Sequence, residues 1–448
     1  MNKAVRYVCA CSEPSEIVRR DFLKIFVNLY GTSKWSPSTF SNKVGTIENY
    51  INPLIGDWKL NEITTKKLSA YYNDLLSVPE VPRANRKATG RCVQPANIKK
   101  IHDIIRCALN QAIRWEYIDT NKRNPASLAT LPKVPKVKRK VWSVDTFREA
   151  IQQSDDDLLT ICMHLAFSCS MRIGEITGLT WEDVVIDEQS IATNNARVII
   201  NKELSRVNAQ AMQKLKEKDI LKIFPTQKPH CTTRLVLKTP KTKTSVRKIF
   251  LPSTVAQMLL ERKKQIDEMK ELFGDEYLDY DLVFCHSSGR PMEGQVINRA
   301  LKKLIQDNDL PDVVFHSFRH ASITYKLKWN GGDMKSVQGD SGHARMDMVA
   351  DVYSHIIDED RRYNAQKFEE QFYNAKGLKN AEEGKTAPMP KFETSVELLD
   401  PMAEVQKGSE VEEEKPAENS ADENAALLAK LLSNPDTAAL LKALAKTI

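Results

Sequence analysis

No Cys-x-x-Cys pair, no apolar run of membrane length and no Gly-x-x-x-x-Gly-Lys-Ser/Thr loop occurs in this chain. Each absence removes a class. Eight cysteines without zinc-type spacing argue against a Cys-ligated metal. Their scatter fits reduced thiols in a cytoplasmic protein. The longest mainly apolar run, Leu158–Met171, is broken by His164. It falls short of the ~20 residues that span a bilayer, so no membrane partner is expected. The first residues lack the apolar stretch of a signal peptide. With no phosphate-cradling loop and no carboxylate cluster suited to two metals, the expectation is chemistry without a cofactor.

Charge is present but unevenly spread. Of the net +7, residues 380–448 contribute 14 acidic residues against 7 lysines, so the body before them carries +14. A basic body with an acidic tail suits a polyanionic partner, with DNA or RNA the first candidate. A chain of 448 residues also exceeds one ordinary core.

The patterning divides the chain. Residues 1–15 carry little pattern and read as a lead-in. Residues 16–132 are helical. Helices are predicted over Thr39–Ile51, ending at Pro53, and over Ile63–Leu76. Asn97–Tyr117 is the clearest, with Ile98, Ile101, Ile104, Ile105, Leu109 and Ala112 at helical spacing. Its other face carries Lys99 and Lys100, and the preceding loop adds Arg83, Arg86, Lys87 and Arg91. Residues 133–141 form a basic linker with Lys136, Lys138, Arg139 and Lys140, suited to phosphates. Residues 142–376 form a larger mixed domain. Leu158–Leu179 reads as a helix, and Arg197–Leu204, Arg234–Leu237 and Arg247–Leu251 read as strands. Ala209–Lys222 looks like a charged insertion. Helices are expected over Thr254–Leu272, Gly294–Gln306, Phe318–Trp329 and Gly332–Gln338. Residues 377–424 are acidic and read as disordered. Residues 425–448 suggest a short amphipathic helical tail with a docking role. The fold class is mainly α with a small β-sheet (α+β).

Within about forty residues the chain supplies His316-Ser-Phe-Arg319, Gly342-His343 and Tyr353. Upstream stands Arg172 in Ser170-Met-Arg-Ile-Gly-Glu175, followed by Lys241 in Pro240-Lys-Thr-Lys-Thr-Ser-Val-Arg247. Each residue alone is unremarked: a salt-bridge arginine, a capping histidine, a buried tyrosine. The ordered set resembles the tyrosine recombinase (phage integrase) family, most like integrases of bacterial mobile elements, over about Phe22 to Tyr373. Ser170 stands where the family commonly has glycine, and Phe318 where leucine is common. Lys243 is an alternative register for the hairpin lysine. Tyr363 and Tyr373 lie too far from His343 to fit the pattern.

The resemblance implies a helical core-binding domain and a catalytic domain of the DNA breaking-rejoining fold, clamped around a duplex. It leaves room for only a remnant of the family's N-terminal arm-binding domain. It implies that Tyr353 attacks the scissile phosphorus and leaves a 3′-phosphotyrosine and a free 5′-hydroxyl. Arg172 and Arg319 would clamp the phosphate, because planar guanidinium groups bind two oxygens at once. Lys241 would protonate the leaving oxygen, His316 would serve as base and acid, and His343 would bond a non-bridging oxygen. Glu175 would brace the helix or Arg172. Further implied are paired attachment sites in double-stranded DNA, a homo-tetramer on them, and an excisionase or host DNA-bending protein as accessory. Two other readings stay open: a DNA-binding regulator with a vestigial site, and a type IB topoisomerase-like enzyme that nicks and reseals without a partner site.

Overall fold

The computed structural model describes residues 18–82, 90–135, 141–226, 230–347, 349, 365–367 and 370. The first part is helical: α1 (Arg19–Phe26), α2 (Pro37–Thr46), α3 (Thr65–Asp74) and α4 (Pro95–Arg114). Their starts follow from local chemistry. Ser36 and Thr64 accept the Thr39 and Lys67 backbone N–H groups at 3.4 and 3.2 Å. A proline, which lacks the N–H that a first turn leaves unpaired anyway, opens α2 and α4. Pro53 does not end the helical path as expected. The ladder widens over Ile47–Ile51, and Pro53 falls in the first turn of a fresh segment, Asn52–Ile55. The predicted isoleucine stripe of α4 is buried, while Lys99 and Lys100 are exposed. With Phe22, Phe26, Trp35, Phe40 and Tyr72 it forms one core.

A second core surrounds α6 (Asp157–Ser168), which follows α5 (Val144–Gln152). The side chain of Asp156 caps α6 by accepting from the Leu159 N–H at 3.0 Å. Leu159, Ile161, Cys162, Met163, Leu165 and Ala166 bury α6 nearly all round, as a central helix requires. The single helix expected over Leu158–Leu179 is two. Ser170 takes a left-handed φ of 54°, and the chain restarts as α7 (Ile173–Thr177).

Two small antiparallel sheets follow. β1 (Val184–Val185), β2 (Arg197–Ile200) and β6 (Arg247–Phe250) form one, with Val198 opposite Ile249. β3 (Glu203–Asn208), β5 (Thr233–Lys238) and β4 (Ile220–Ile223) form the other, with Ser205 opposite Val236. The predicted strand Arg197–Leu204 is thus divided at Asn201-Lys202. Lys202 is pulled aside by Thr180 and Asp183, each 2.8 Å from its Nζ. The expected charged insertion holds α8 (Ala209–Lys214) and β4. Ala211 and Leu215 from this segment enter the core of the helical part, and Lys218 Nζ donates to the Ser33 carbonyl at 2.9 Å.

Four longer helices follow the sheets: α9 (Ser253–Phe273), α10 (Gly294–Asp307), α11 (His316–Trp329) and α12 (Met334–Ser341). α6 packs against α9, α10 and α11. Among the described residues no helix is long and apolar enough to cross a membrane. The acidic segment and helical tail expected beyond residue 377 lie outside the described residues.

Candidate active site

The turn at Ser170 brings the two sequence-predicted arginines together. A left-handed backbone costs a non-glycine residue roughly 1–2 kcal/mol, which explains why glycine suits the position. Here serine holds it with a partner: its Oγ lies 2.6 Å from Ser322 Oγ on α11. The turn frees the Ser170 carbonyl to accept from Arg319 Nη1. Two residues on, Arg172 starts α7. Its backbone N–H donates to Glu175 Oε2 at 2.9 Å and its Nη1 to Oε1 at 2.6 Å. A third of the Arg172 side chain remains exposed.

Glu175 is almost fully buried and joins two arginines. Arg247, on β6, donates Nη1 and Nη2 to its two oxygens at 3.1 and 2.9 Å. Burial alone would raise the carboxyl pKa. The Arg247 hydrogen bonds and the charges of Arg247 and Arg172 outweigh it and hold the group down to about 2. Glu175 is therefore an anion at neutral pH.

His316 and Arg319 both stand in the first turn of α11. Arg319 turns inward, 1% exposed, and spans two segments: Nη1 to the Ser170 carbonyl and Nη2 to the Ser341 carbonyl. Burial, then the nearby Arg172 charge, pulls its pKa down to about 9. His316 is exposed and meets His320 edge to face, with ring centroids 4.7 Å apart. His343 follows Gly342, whose φ of 63° ends α12. The His343 ring is buried, and its Nδ1 lies 2.8 Å from Ser341 Oγ. Burial, then the charges of Arg319, Arg172, His320 and His316, pushes its pKa down to about 4. Arg172, His316, Arg319 and His343 thus share one electrostatic neighbourhood. Two guanidinium groups there, Arg172 and Arg247, are joined through a single carboxylate, Glu175, and the charge of Arg319 acts on the same group without bonding it. Buried positive charge in such excess is costly without an anion, and a phosphate has the right charge and geometry.

Two residues in this cluster were missed by sequence reasoning. Arg247 reads as one of many basic residues after Lys241. Its signal is strand alternation, which turns Arg247 and Ile249 inward and Lys248 and Phe250 outward. His320 stands one helical turn beyond His316, the spacing that makes two side chains meet.

The expectation for Lys241 needs correction. It does not sit in a hairpin turn, because β5 and β6 belong to different sheets. It is exposed in the loop between them, where Thr242 Oγ1 and Ser245 Oγ lie 2.8 Å apart and Lys243–Ser245 makes a short helical turn. Tyr353 lies outside the described residues. Of the sequence-predicted DNA-binding residues, Arg91, Lys99 and Lys100 are exposed; Arg83, Arg86, Lys87, Lys136, Lys138, Arg139 and Lys140 lie outside the described residues.

The phage integrase family matches residues 143–360, a span that includes every candidate catalytic position, and the phage integrase N-terminal SAM-like domain matches residues 20–76. A tyrosine recombinase XerC-like protein of Caldanaerobacter subterraneus subsp. tengcongensis is 25% identical over 330 residues, 72% of this chain and 75% of the relative. The ICEBs1 integrase of Bacillus subtilis is 22% identical over 338 residues, 75% of this chain and 78% of the relative. The fold resembles that of the Tn1549 transposon integrase, solved in complex with a circular intermediate DNA. The TM-score is 0.57 at 15% identity, over 79% of this chain and 99% of that one. The chain belongs to the phage integrase family, the tyrosine recombinases.

Proposed function

We propose that this protein is a site-specific recombinase that integrates or excises a mobile element by cutting and rejoining double-stranded DNA through a 3′-phosphotyrosine. The observation that carries the reading is the cationic cluster, in which Arg172 and Arg319 meet at the Ser170 turn beside His343. Their charge favours a bound phosphate and offsets the charge that builds on its oxygens during attack. A neutral His343 whose Nδ1 accepts from the Ser341 hydroxyl presents Nε2–H to a non-bridging oxygen. His316, exposed at the start of α11, takes the tyrosine proton and returns it in the reverse step. Tyr353 is the nucleophile, and Lys241 delivers a proton to the departing 5′-oxygen. One phosphodiester replaces another, so the 5′-hydroxyl of a partner strand can reverse the step without ATP.

By the same reading the chain acts in the DNA-associated cytoplasm and assembles as four protomers on two attachment sites. The relative named as ICEBs1 integrase supports the integrase reading. The exposed Arg91, Lys99 and Lys100, with the basic linker, track the duplex backbone.

The test is a nicked suicide duplex carrying the element end. Wild-type protein should give a protein–DNA adduct that survives denaturing electrophoresis, and Tyr353→Phe should bind the duplex equally while giving none. An adduct with Tyr353→Phe would move the nucleophile elsewhere. No adduct with the wild type would favour a regulator. Resealing with no exchange between paired sites would favour a nick-and-reseal enzyme.

A further inference from the structure

Arg247 bonds three of the chain segments next to the candidate catalytic groups. Its fork grips both oxygens of Glu175, and Glu175 also holds the backbone and the side chain of Arg172. Its Nε donates to the Asp340 carbonyl at 2.7 Å, just before the turn that carries Gly342 and His343. Its Nη1 also donates to the Ser245 carbonyl at 3.0 Å, at the root of the loop bearing Lys241. The fit is close on a third side. A Cβ built on Gly342 would stand 3.0 Å from Arg247 Cδ and 3.1 Å from the Thr244 carbonyl. The Arg247 side chain is itself 5% exposed, against 32% for Arg172, so its charge is spent inside the protein.

We infer that Arg247 is a positioning residue for phosphodiester cleavage, fixing Arg172, His343 and the Lys241 loop in one relative geometry without touching DNA. The inference rests on the recombinase reading above. The requirement is for a guanidinium in particular. A lysine keeps the charge, but a point-like ammonium cannot match two carboxylate oxygens and also reach two carbonyls along fixed directions.

The experiment compares wild type, Arg247→Lys, Glu175→Gln and the double variant by the single-turnover rate of adduct formation at saturating suicide duplex. DNA affinity and melting temperature are measured alongside. Arg247→Lys should slow the step by about 10–100-fold, the order expected when reacting groups shift by up to about an ångström. Its Kd should stay within about twofold of wild type, because the groups that touch the duplex backbone are unchanged. The double variant should be about as slow as the slower single one, because both changes cut the same link. A 5′-bridging phosphorothioate, whose sulfur leaves without a proton, should not restore Arg247→Lys, because Arg172 and His343 remain displaced. Gly342→Ala presses a methyl group on Arg247 Cδ and leaves every charge in place. It should also slow the step without weakening binding, and it serves if Arg247→Lys fails to fold. Three results would overturn the inference: a wild-type rate in a folded Arg247→Lys, multiplied rather than shared losses in the double variant, or full rescue by the sulfur substrate. A wild type that forms no adduct sinks the recombinase reading instead, whatever the variants do.

Discussion

The environment that lowers the pKa of His343 also couples it to folding. Its folded pKa is about 4, from burial first and then the surrounding arginines, whereas the unfolded value is near 6.5. The unfolded chain therefore binds a proton at this site at a pH where the folded chain does not. The contribution of His343 to stability is complete above about pH 6.5 and is lost as pH falls through about 4. Glu175 adds a lower window: its folded pKa is about 2, below the usual glutamate range, so its share is present above about pH 4.5 and is lost as pH falls through about 2. Burial also depresses His102 and His164, so the wild-type slope is shared. The urea midpoint of the wild type should fall between pH 7 and pH 4, and His343→Gln should make that fall shallower. An equal slope in the variant would show that His343 does not titrate as described. Arg172, His316, Arg319 and His343, which the structure brings together, could be grouped from the sequence because no common structural need sets them in that order and spacing. Arg247 was not legible, because a basic residue beside Lys248 reads as surface until the strand's facing is known.

At the scale of elements, amphipathic helices were the easiest to read. α4 shows why: one apolar stripe at helical spacing is buried and the basic face is left outside. α6 and α7 were fused in the sequence reading, because Cys169, Ser170 and Met171 are all buried and continue the apolar pattern through the break. Nothing in hydropathy marks a left-handed φ. The strands were placed in part: β2, β5 and β6 were read, β3 only at its start, and β1 and β4 not at all, nor were the partners. Pairing β2 with β6 and β3 with β5 is a long-range choice set by where Asn201-Lys202 diverts the chain. That diversion leaves Lys241 exposed in a loop joining two sheets. If Lys241 supplies the proton, a 5′-bridging phosphorothioate should restore cleavage to Lys241→Ala and leave Arg172→Ala slow. Rescue of Lys243→Ala but not Lys241→Ala would shift the role by two positions.

For the whole molecule, net charge sets how DNA is held. A body of +14 should bind largely by displacing counterions, so log affinity should fall with log salt by about 0.9 per phosphate neutralised. Replacing Lys136, Lys138, Arg139 and Lys140 together with glutamine should flatten that slope measurably. A slope identical to wild type would place the linker away from the duplex. The sequence reading drew a domain boundary through that same linker. Composition could mark it as extended, but it could not show that a segment seventy-odd residues downstream returns to the helical part. Ala211 and Leu215 fill places in the helical core. Burying a leucine contributes roughly 1.5–3 kcal/mol, a sizeable share of any small domain's margin. A fragment excised at the linker would carry two unfilled sockets and an apolar notch open to water. Residues on either side of residue 133 should therefore melt as one cooperative block: the linker is where the chain can be cut, not where the fold comes apart.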